Sequence, residues 1–216
     1  KSAAYIFVKD ATNIKMIMES LPRDEVEHMR RVGILVDVLT QKLCGFDICQ
    51  KYTDEYKYFG LAAAYHDIGK AWIPKSILTK PGELTGEERT IIRRHPELAG
   101  KILDQADFGH MPGIPEHLFH LVIDSAMYHH EWWNGSGYPY GISYDDIPLV
   151  ARITSVCDAY DAMTSDRRYR MAHTHYYACC ELEKNAGTQF DPSLVRTFLD
   201  SAHEISVLAN KMISCL

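Results

Sequence analysis

The sequence predicts an all-α fold. Between Pro22 and Leu43, Val26, Met29, Val32, Val36, Leu39 and Leu43 recur at steps of three and four, the spacing of one buried helix face. Capping and proline signals mark further helix starts downstream. No two-residue alternation of the kind that makes strands persists anywhere, and there is no internal repeat or low-complexity tract. The 216 residues suffice for one domain with a good core, or one domain and an appendage. Hydrophobic residues make up 46% and charged residues 24%, as in ordinary globular chains. The net charge of −6 argues against a partner such as long nucleic acid, but a local cation or metal can still draw in a small anion. No apolar run reaches membrane-spanning length and no signal peptide is visible, so no membrane contact is expected from this stretch. The chain starts at Lys1 rather than Met and is expected to be part of something longer.

Residues 1–20 mix apolar and polar positions and are expected to be a linker or helix arriving from an upstream domain, with residues 21–216 as the main domain. Pro22 suits the first turn of the periodic helix. Asp24 and His28, four apart, lie one turn from each other on one face of it. Thr53 is a candidate cap for a helix from Asp54 to about Asp67, with Gly69 placed to end it. That helix carries Ala62 to Ala64, small enough for close packing, and then His66-Asp67. Ionisable residues at the end of a buried segment are costly unless paired or bound to metal.

Thr85-Gly-Glu-Glu88 forms a capping box, which predicts a helix to about Ala106. His95 falls inside it and Pro96 follows, so the helix is expected to kink or restart there. Residues 107–116 form a Pro/Gly-rich loop, a lid or a surface insertion. A helix from about 117 to 130 ends in His129-His130. Another begins near Ile147 and carries Asp158 and Asp161. Thr164 to Arg170 is a basic loop, Asp191-Pro192 caps a last helix, and that helix runs to about Met212.

The six cysteines make no C-x-x-C pair, which favours a reducing, cytoplasmic setting over a disulfide scaffold. Cys179-Cys180 are expected to pack within a helix. Of the eleven histidines, His110, His117, His120, His173, His175 and His203 have no evident role. The other five have partners at useful spacing.

Those partners define the chemistry. Asp24, His28, His66, Asp67, His95, His129, His130 and Asp158 are all nitrogen or oxygen donors. One ion does not normally take so many, so two or three are implied. Mixed imidazole and carboxylate suits iron or manganese, with zinc, nickel or cobalt as alternatives. Adjacent ions sharing an aspartate and a hydroxide would make a nucleophile at neutral pH and neutralise phosphoryl oxygens. Lys70, Arg167 and Arg170 are cations spaced to hold a phosphate, although a solvated charge run is the commoner fate of residues such as the two arginines.

His66-Asp-Ile-Gly-Lys70, together with His129-His-Glu-x-x-x-Gly-x-Gly-Tyr-Pro139, resembles the HD-GYP family, a branch of the HD superfamily of metal phosphohydrolases. The likeness continues through Ile77-Leu-x-Lys-Pro-Gly-x-Leu-Thr85, His95-Pro96, Asp158-x-x-Asp-Ala-Met-Thr-Ser-Asp-Arg167 and Gly187-Thr-x-Phe-Asp-Pro192. The resemblance implies a helical bundle with metals in its core and the Gly-Tyr-Pro loop at its rim. It implies hydrolysis of cyclic di-GMP in bacterial signalling, to the linear dinucleotide and on to GMP. Metal ligation would fall to His28, His66, Asp67, His95, His129, His130 and Asp158, with Asp67 bridging two ions. Lys70 would meet the scissile phosphate, Arg167 and Arg170 would hold phosphate, and Gly137, Tyr138 and Pro139 would contact the substrate. A tethered receiver or sensor domain is expected, and a homodimer through the N-terminal segment. One departure concerns the third ion: family members with three metals carry a glutamate one turn before the first histidine, where this chain has the shorter Asp24. The alternatives are a phosphohydrolase for another cyclic nucleotide, such as cyclic GMP-AMP, and a catalytically silent module that binds a nucleotide or protein.

Overall fold

The computed structural model describes residues 13–44, 54–105, 113–166 and 171–214. Thr53, residues 107–112, Arg167 and Arg170 lie outside them, as do His110, Cys49, Cys215 and residues 1–12 of the expected upstream segment. Among the described residues the fold is all-α, and the nearest approach to a strand is one isolated bridge between Ala186 and Phe190.

Two helices form the centre. The periodic stretch becomes α2, Arg23–Cys44, and buries Met29, Val32, Val36, Leu39 and Leu43 completely. It packs on α8, Leu149–Thr164, which is buried on nearly every side, from Leu149 through Tyr160 to Asp161. A short helix before α2, α1, Ile14–Ser20, is capped by Asn13 and sinks Ile14 and Ile17 into the same core. No helix among the described residues is long and apolar enough to cross a membrane.

The helix expected from Asp54 to Asp67 is broken. A 3-10 turn, Glu55–Tyr58, leads into α3, Phe59–Ala63; the chain then turns through Ala64–Asp67 into a second 3-10 helix, Ile68–Trp72. Ala62 and Ala63 are fully buried, where α3 packs on α2. Gly69 does not end a helix. It sits inside the second 3-10 helix because a Cβ there would collide with the His95 carbonyl and the Ala99 amide.

After a single helical turn, α4 (Lys75–Leu78), the predicted capping box appears in full. The Thr85 hydroxyl accepts from the Glu88 amide at 3.2 Å, and the Glu88 carboxylate accepts from the Thr85 amide at 2.8 Å. The helix it starts, α5, Gly86–Ile92, stops short, and α6, His95–Gln105, restarts with Pro96 in its first turn, where a missing N–H costs nothing. A 3-10 turn, Glu116–Leu118, precedes α7, His120–Tyr128, so His129 and His130 lie just past a helix rather than inside one. Thr174 caps α9, His175–Lys184, in which Cys179 is half-buried while Cys180 is exposed. The last predicted helix is two, α10, Pro192–Asp200, capped by Asp191, and α11, Ala202–Ser214.

The close approach at Gly69 is testable. Gly69→Ala is expected to cost about 1–3 kcal/mol, the usual range for overpacking. Gly86→Ala, where an added Cβ meets open space, is expected to be neutral or to stabilise by a few tenths of a kcal/mol. Urea denaturation of both variants measures the contrast, and equal stabilities would remove Gly69 from the packing argument.

Candidate metal centre

Five segments bring their polar residues to one point: α2, the turn after α3, α6, the end of α7 and α8. Asp67 is at its middle, and its two oxygens face different partners. Oδ2 lies 3.2 Å from His66 Nε2 and 3.8 Å from His28 Nε2. Oδ1 lies 3.1 Å from His95 Nε2 and 3.9 Å from His129 Nε2. Asp158 joins the first side, with Oδ1 3.0 Å from His28 Nε2 and 3.9 Å from His66 Nε2. His130 joins the second, its ring centroid 4.1 Å from that of His129 and 4.9 Å from that of His95. Three triads converge closely enough to share an ion: His28, His66 and Asp67; His95, His129 and His130; and His66, His129 and Asp158.

The proton positions decide what this cluster is for. His66 Nδ1 donates to the Ala63 carbonyl at 2.9 Å, and His95 Nδ1 to the Ile92 carbonyl at 2.8 Å. His129 Nδ1 divides its proton between the Ser125 and Ala126 carbonyls, at 3.0 and 3.2 Å. A carbonyl only accepts, so Nδ1 carries the hydrogen in each ring and the lone pair of the neutral ring sits on Nε2. His95 Nε2 and His129 Nε2 are then 3.3 Å apart, lone pair towards lone pair. Burial lowers the pKa of both rings, so neither supplies a proton to relieve the contact. His66 Nε2 and Asp67 Oδ1 are buried without a hydrogen-bond partner, although other polar atoms stand close by. Acceptors facing acceptors in a water-poor pocket repel unless a cation sits among them. This donor set therefore fits divalent metal.

Electrostatics elsewhere in the cluster agree. Burial alone would raise Asp158 and Asp67, but His28 on the first and Lys70 with the surrounding histidines on the second hold both well below the carboxylate range. Burial drives His130 down to about 3, and its neighbour His95 pushes the same way. His28 is the exception. Burial would lower it, yet Asp158 and Asp161 outweigh that and raise it to about 9.

The other expected residues are placed as follows. The Lys70 ammonium lies 2.7 Å from Asp67 Oδ2 and 2.7 Å from Glu25 Oε2. Despite burial, those two acids raise its pKa, so it stays a cation aimed at the cluster. Asp24 is exposed and belongs to none of the three triads; it borders a cavity of about 920 Å³ that opens beside His28 and Lys70. Gly137 folds back on the chain so tightly that a Cβ would meet the Trp132 amide and the His130 carbonyl. This lays the Tyr138 ring on His130, stacked at 4.7 Å between centroids. The bond from Tyr138 to Pro139 is cis.

Several residues of the centre went unassigned from sequence. Asp161 accepts from His28 Nδ1 at 2.7 Å and from Arg31 Nε and Nη2 at 2.7 and 2.9 Å. Its three-residue spacing from Asp158, on one helix face, was the available signal. Glu131, directly after the paired histidines, is buried and accepts from the Tyr140 amide at 2.6 Å and the Gly141 amide at 3.0 Å. It ties the far end of the Gly-Tyr-Pro loop to the segment that carries His129 and His130. Glu25, adjacent to Asp24, is the acid that reaches Lys70.

Comparison with known proteins adds independent findings. The HD domain family matches residues 16–194. The chain is 38% identical over 190 residues to a Vibrio cholerae protein named as a probable cyclic di-GMP phosphodiesterase, an alignment that covers 85% of this chain and 42% of that one. It is 39% identical over 140 residues to a Pseudomonas aeruginosa cyclic di-GMP phosphodiesterase, covering 65% of this chain and 31% of the relative. It is also 32% identical over 188 residues to a Vibrio cholerae 3'3'-cGAMP-specific phosphodiesterase, covering 87% and 33%. The chain thus spans less than half the length of these relatives.

Asp161→Asn keeps the shape of the side chain but weakens its hold on the His28 Nδ1 proton. Metal affinity is expected to fall roughly 10–100-fold, as for other outer partners of ligating histidines. Titration of metal into stripped protein measures this, with circular dichroism to show that the helices persist. Unchanged affinity would mean that Asp161 serves Arg31 alone.

Proposed function

The chain belongs to the HD domain family and carries the motifs of its HD-GYP branch, and from that premise we propose that it is a metal-dependent phosphodiesterase that opens cyclic di-GMP to the linear dinucleotide and continues to GMP. The observation that carries the proposal is the buried convergence of imidazole and carboxylate lone pairs on Asp67, an arrangement that is repulsive without cations. His28, His66, Asp158 and one oxygen of Asp67 would hold one ion, and His95, His129, His130 and the other oxygen a second. Asp24 would be the ligand nearest a third. Iron or manganese suits this donor set best. Bound divalent ions would supply Lewis acidity towards phosphoryl oxygens and a water acidified for attack.

The remaining work falls to side chains of the chain. Lys70, kept cationic by Glu25 and Asp67, offers N–H donors to a phosphate oxygen at the edge of the cluster. Nδ1 donation to backbone carbonyls fixes His66, His95 and His129 in the tautomer that presents Nε2 inward. Tyr138, stacked on His130, forms one wall beside the second set of ligands. Arg167 and Arg170 are the further phosphate-holding candidates. Relatives named for cyclic di-GMP and for 3'3'-cGAMP make the two cyclic dinucleotides the substrates to compare. Action in the bacterial cytoplasm, control by a tethered sensor or receiver domain, and pairing through the N-terminal segment complete the proposal.

The test is elemental analysis of protein purified without oxygen, with both cyclic dinucleotides assayed on the same sample. Two or three iron or manganese ions per chain and turnover of cyclic di-GMP are expected. His66→Ala and Asp67→Ala should lose metal and turnover together. Turnover that survives without metal would sink the proposal.

A further inference from the structure

Several cations among the described residues are neutralised by neighbouring acids. Arg31 is held by Asp161, and Lys70 by Glu25 and Asp67. Arg152 is held by Asp145 and Asp191, and Arg23 by Glu27. Arg93 differs. Its guanidinium carbon lies 4.2 Å from the centroid of the Tyr138 ring, and no carboxylate is within ion-pair reach of it among the described residues. The Tyr138 ring in turn stacks on His130. Arg93, Tyr138 and His130 therefore form three layers that lead out of the metal centre.

Stacking engages only the face of the guanidinium. Its five N–H donors lie in the plane of the group and stay available at the edge. The ring fixes the orientation of the fork, so little side-chain freedom remains to be lost when an anion arrives. Arg93 is also the residue at which α5 ends, so the backbone break that presents His95 presents Arg93 two residues earlier. A surface arginine without a function would more commonly lie along a carboxylate or in bulk water. This one is oriented by the very loop that covers a metal ligand.

A cyclic dinucleotide carries two phosphodiesters. The metal centre can neutralise only the one it cleaves, and the sister phosphate, one ribose away, needs a donor outside the ion cluster. On the reading of the substrate as a cyclic dinucleotide, we propose that Arg93 is a substrate-anchoring residue that grips the phosphodiester the metals do not cleave. Tyr138 holds it in position, and the pair sets the preference for a two-phosphate ring over a simple diester.

The experiment compares metal-loaded wild type, Arg93→Ala and Arg94→Ala. Arg94 is the adjacent arginine; it is exposed and lies 3.9 Å from Glu97, so its removal controls for net charge. Two substrates are used: cyclic di-GMP, and bis(p-nitrophenyl) phosphate, a diester with one phosphate. Arg93→Ala is expected to raise KM for cyclic di-GMP roughly tenfold or more, the loss of one charge-assisted hydrogen bond. Its kcat, its metal content and its kinetics on the single diester should stay at the wild-type level, and Arg94→Ala should match wild type on both substrates. An equal loss on both substrates would show that Arg93 acts through Tyr138 on His130, and would overturn anchoring. An unchanged KM for cyclic di-GMP would overturn it as well. Wild type that cleaves the single diester but no cyclic dinucleotide would instead fail the substrate reading, and anchoring with it, while leaving the metal centre standing.

Discussion

Much of this fold beyond ordinary helix packing follows from one electrostatic problem: the buried Nε2 atoms of His66, His95 and His129 and the carboxylate oxygens of Asp67 point at each other, with His28 and Asp158 beside them. Keeping the Nε2 lone pairs inward requires an acceptor for each outer Nδ1 proton. A helix interior cannot supply one, because its carbonyls are already engaged by amides four residues on. A helix end can, because its last carbonyls are not all engaged by amides four residues on. His66 uses the carbonyl of the last residue of α3, and His95 that of the last residue of α5; His129 uses two carbonyls from the final turn of α7. The helices stop where they do, and the imidazoles serve as their caps. His28 sits in the middle of α2, where no carbonyl is spare, so its Nδ1 needs a side chain. That is the physical reason for Asp161, and for the pairing of His28 and Arg31 on α2 with Asp158 and Asp161 on α8.

The same logic separates what the sequence made legible from what it hid. Local rules worked where local interactions decide the structure. The periodic face of α2, the Thr85–Glu88 capping box, the Asp191-Pro192 start of α10 and the restart at His95-Pro96 all appear. The helix expected over Asp54–Asp67 failed because nothing in its sequence breaks it. It unwinds past Ala63, where the carbonyl takes both the His66 amide and the His66 Nδ1, and turns Asp67 inward, a demand made by distant partners. Gly69 resembled a helix terminator, but its lack of a side chain serves the contact with His95 across the fold. Ser201 likewise divides the last helix without glycine or proline, its amide shared between the Thr197 and Phe198 carbonyls. The donor set itself was readable from residue types and spacing. The outer acceptors were not, because a residue that orients a ligand carries no motif beyond proximity.

The first acidic pair on α2 shows how far one residue of register matters. Asp24 and Glu25 are both within one turn of His28, and sequence alone favours the one four residues away. A short side chain at that place ends at the border of the cavity beside the cluster, whereas Glu25, one position on and one methylene longer, reaches Lys70. The acid on this helix therefore meets the centre through a cation. With Asp67 on its other side, Lys70 is pinned between two carboxylates 2.7 Å away. Such a pair restrains the lysine and partly neutralises its charge, leaving one of its three N–H donors for a further acceptor.

The two flanks of the centre differ in character. On the His28 and Lys70 side the walls are charged in both signs and open on a wide cavity. On the His95 and His130 side the wall is aromatic, and Arg93 lies over the face of the Tyr138 ring rather than against a carboxylate. The Gly-Tyr-Pro loop that supplies this wall is fastened at several points. Glu131 takes its amides at one end, Trp133 and Asn134 donate to the Gln189 and Thr188 carbonyls, and Arg152 reaches from α8 over Trp133 to Asp191 at the start of α10. So many anchors on a segment without secondary structure suit a surface that must hold one shape.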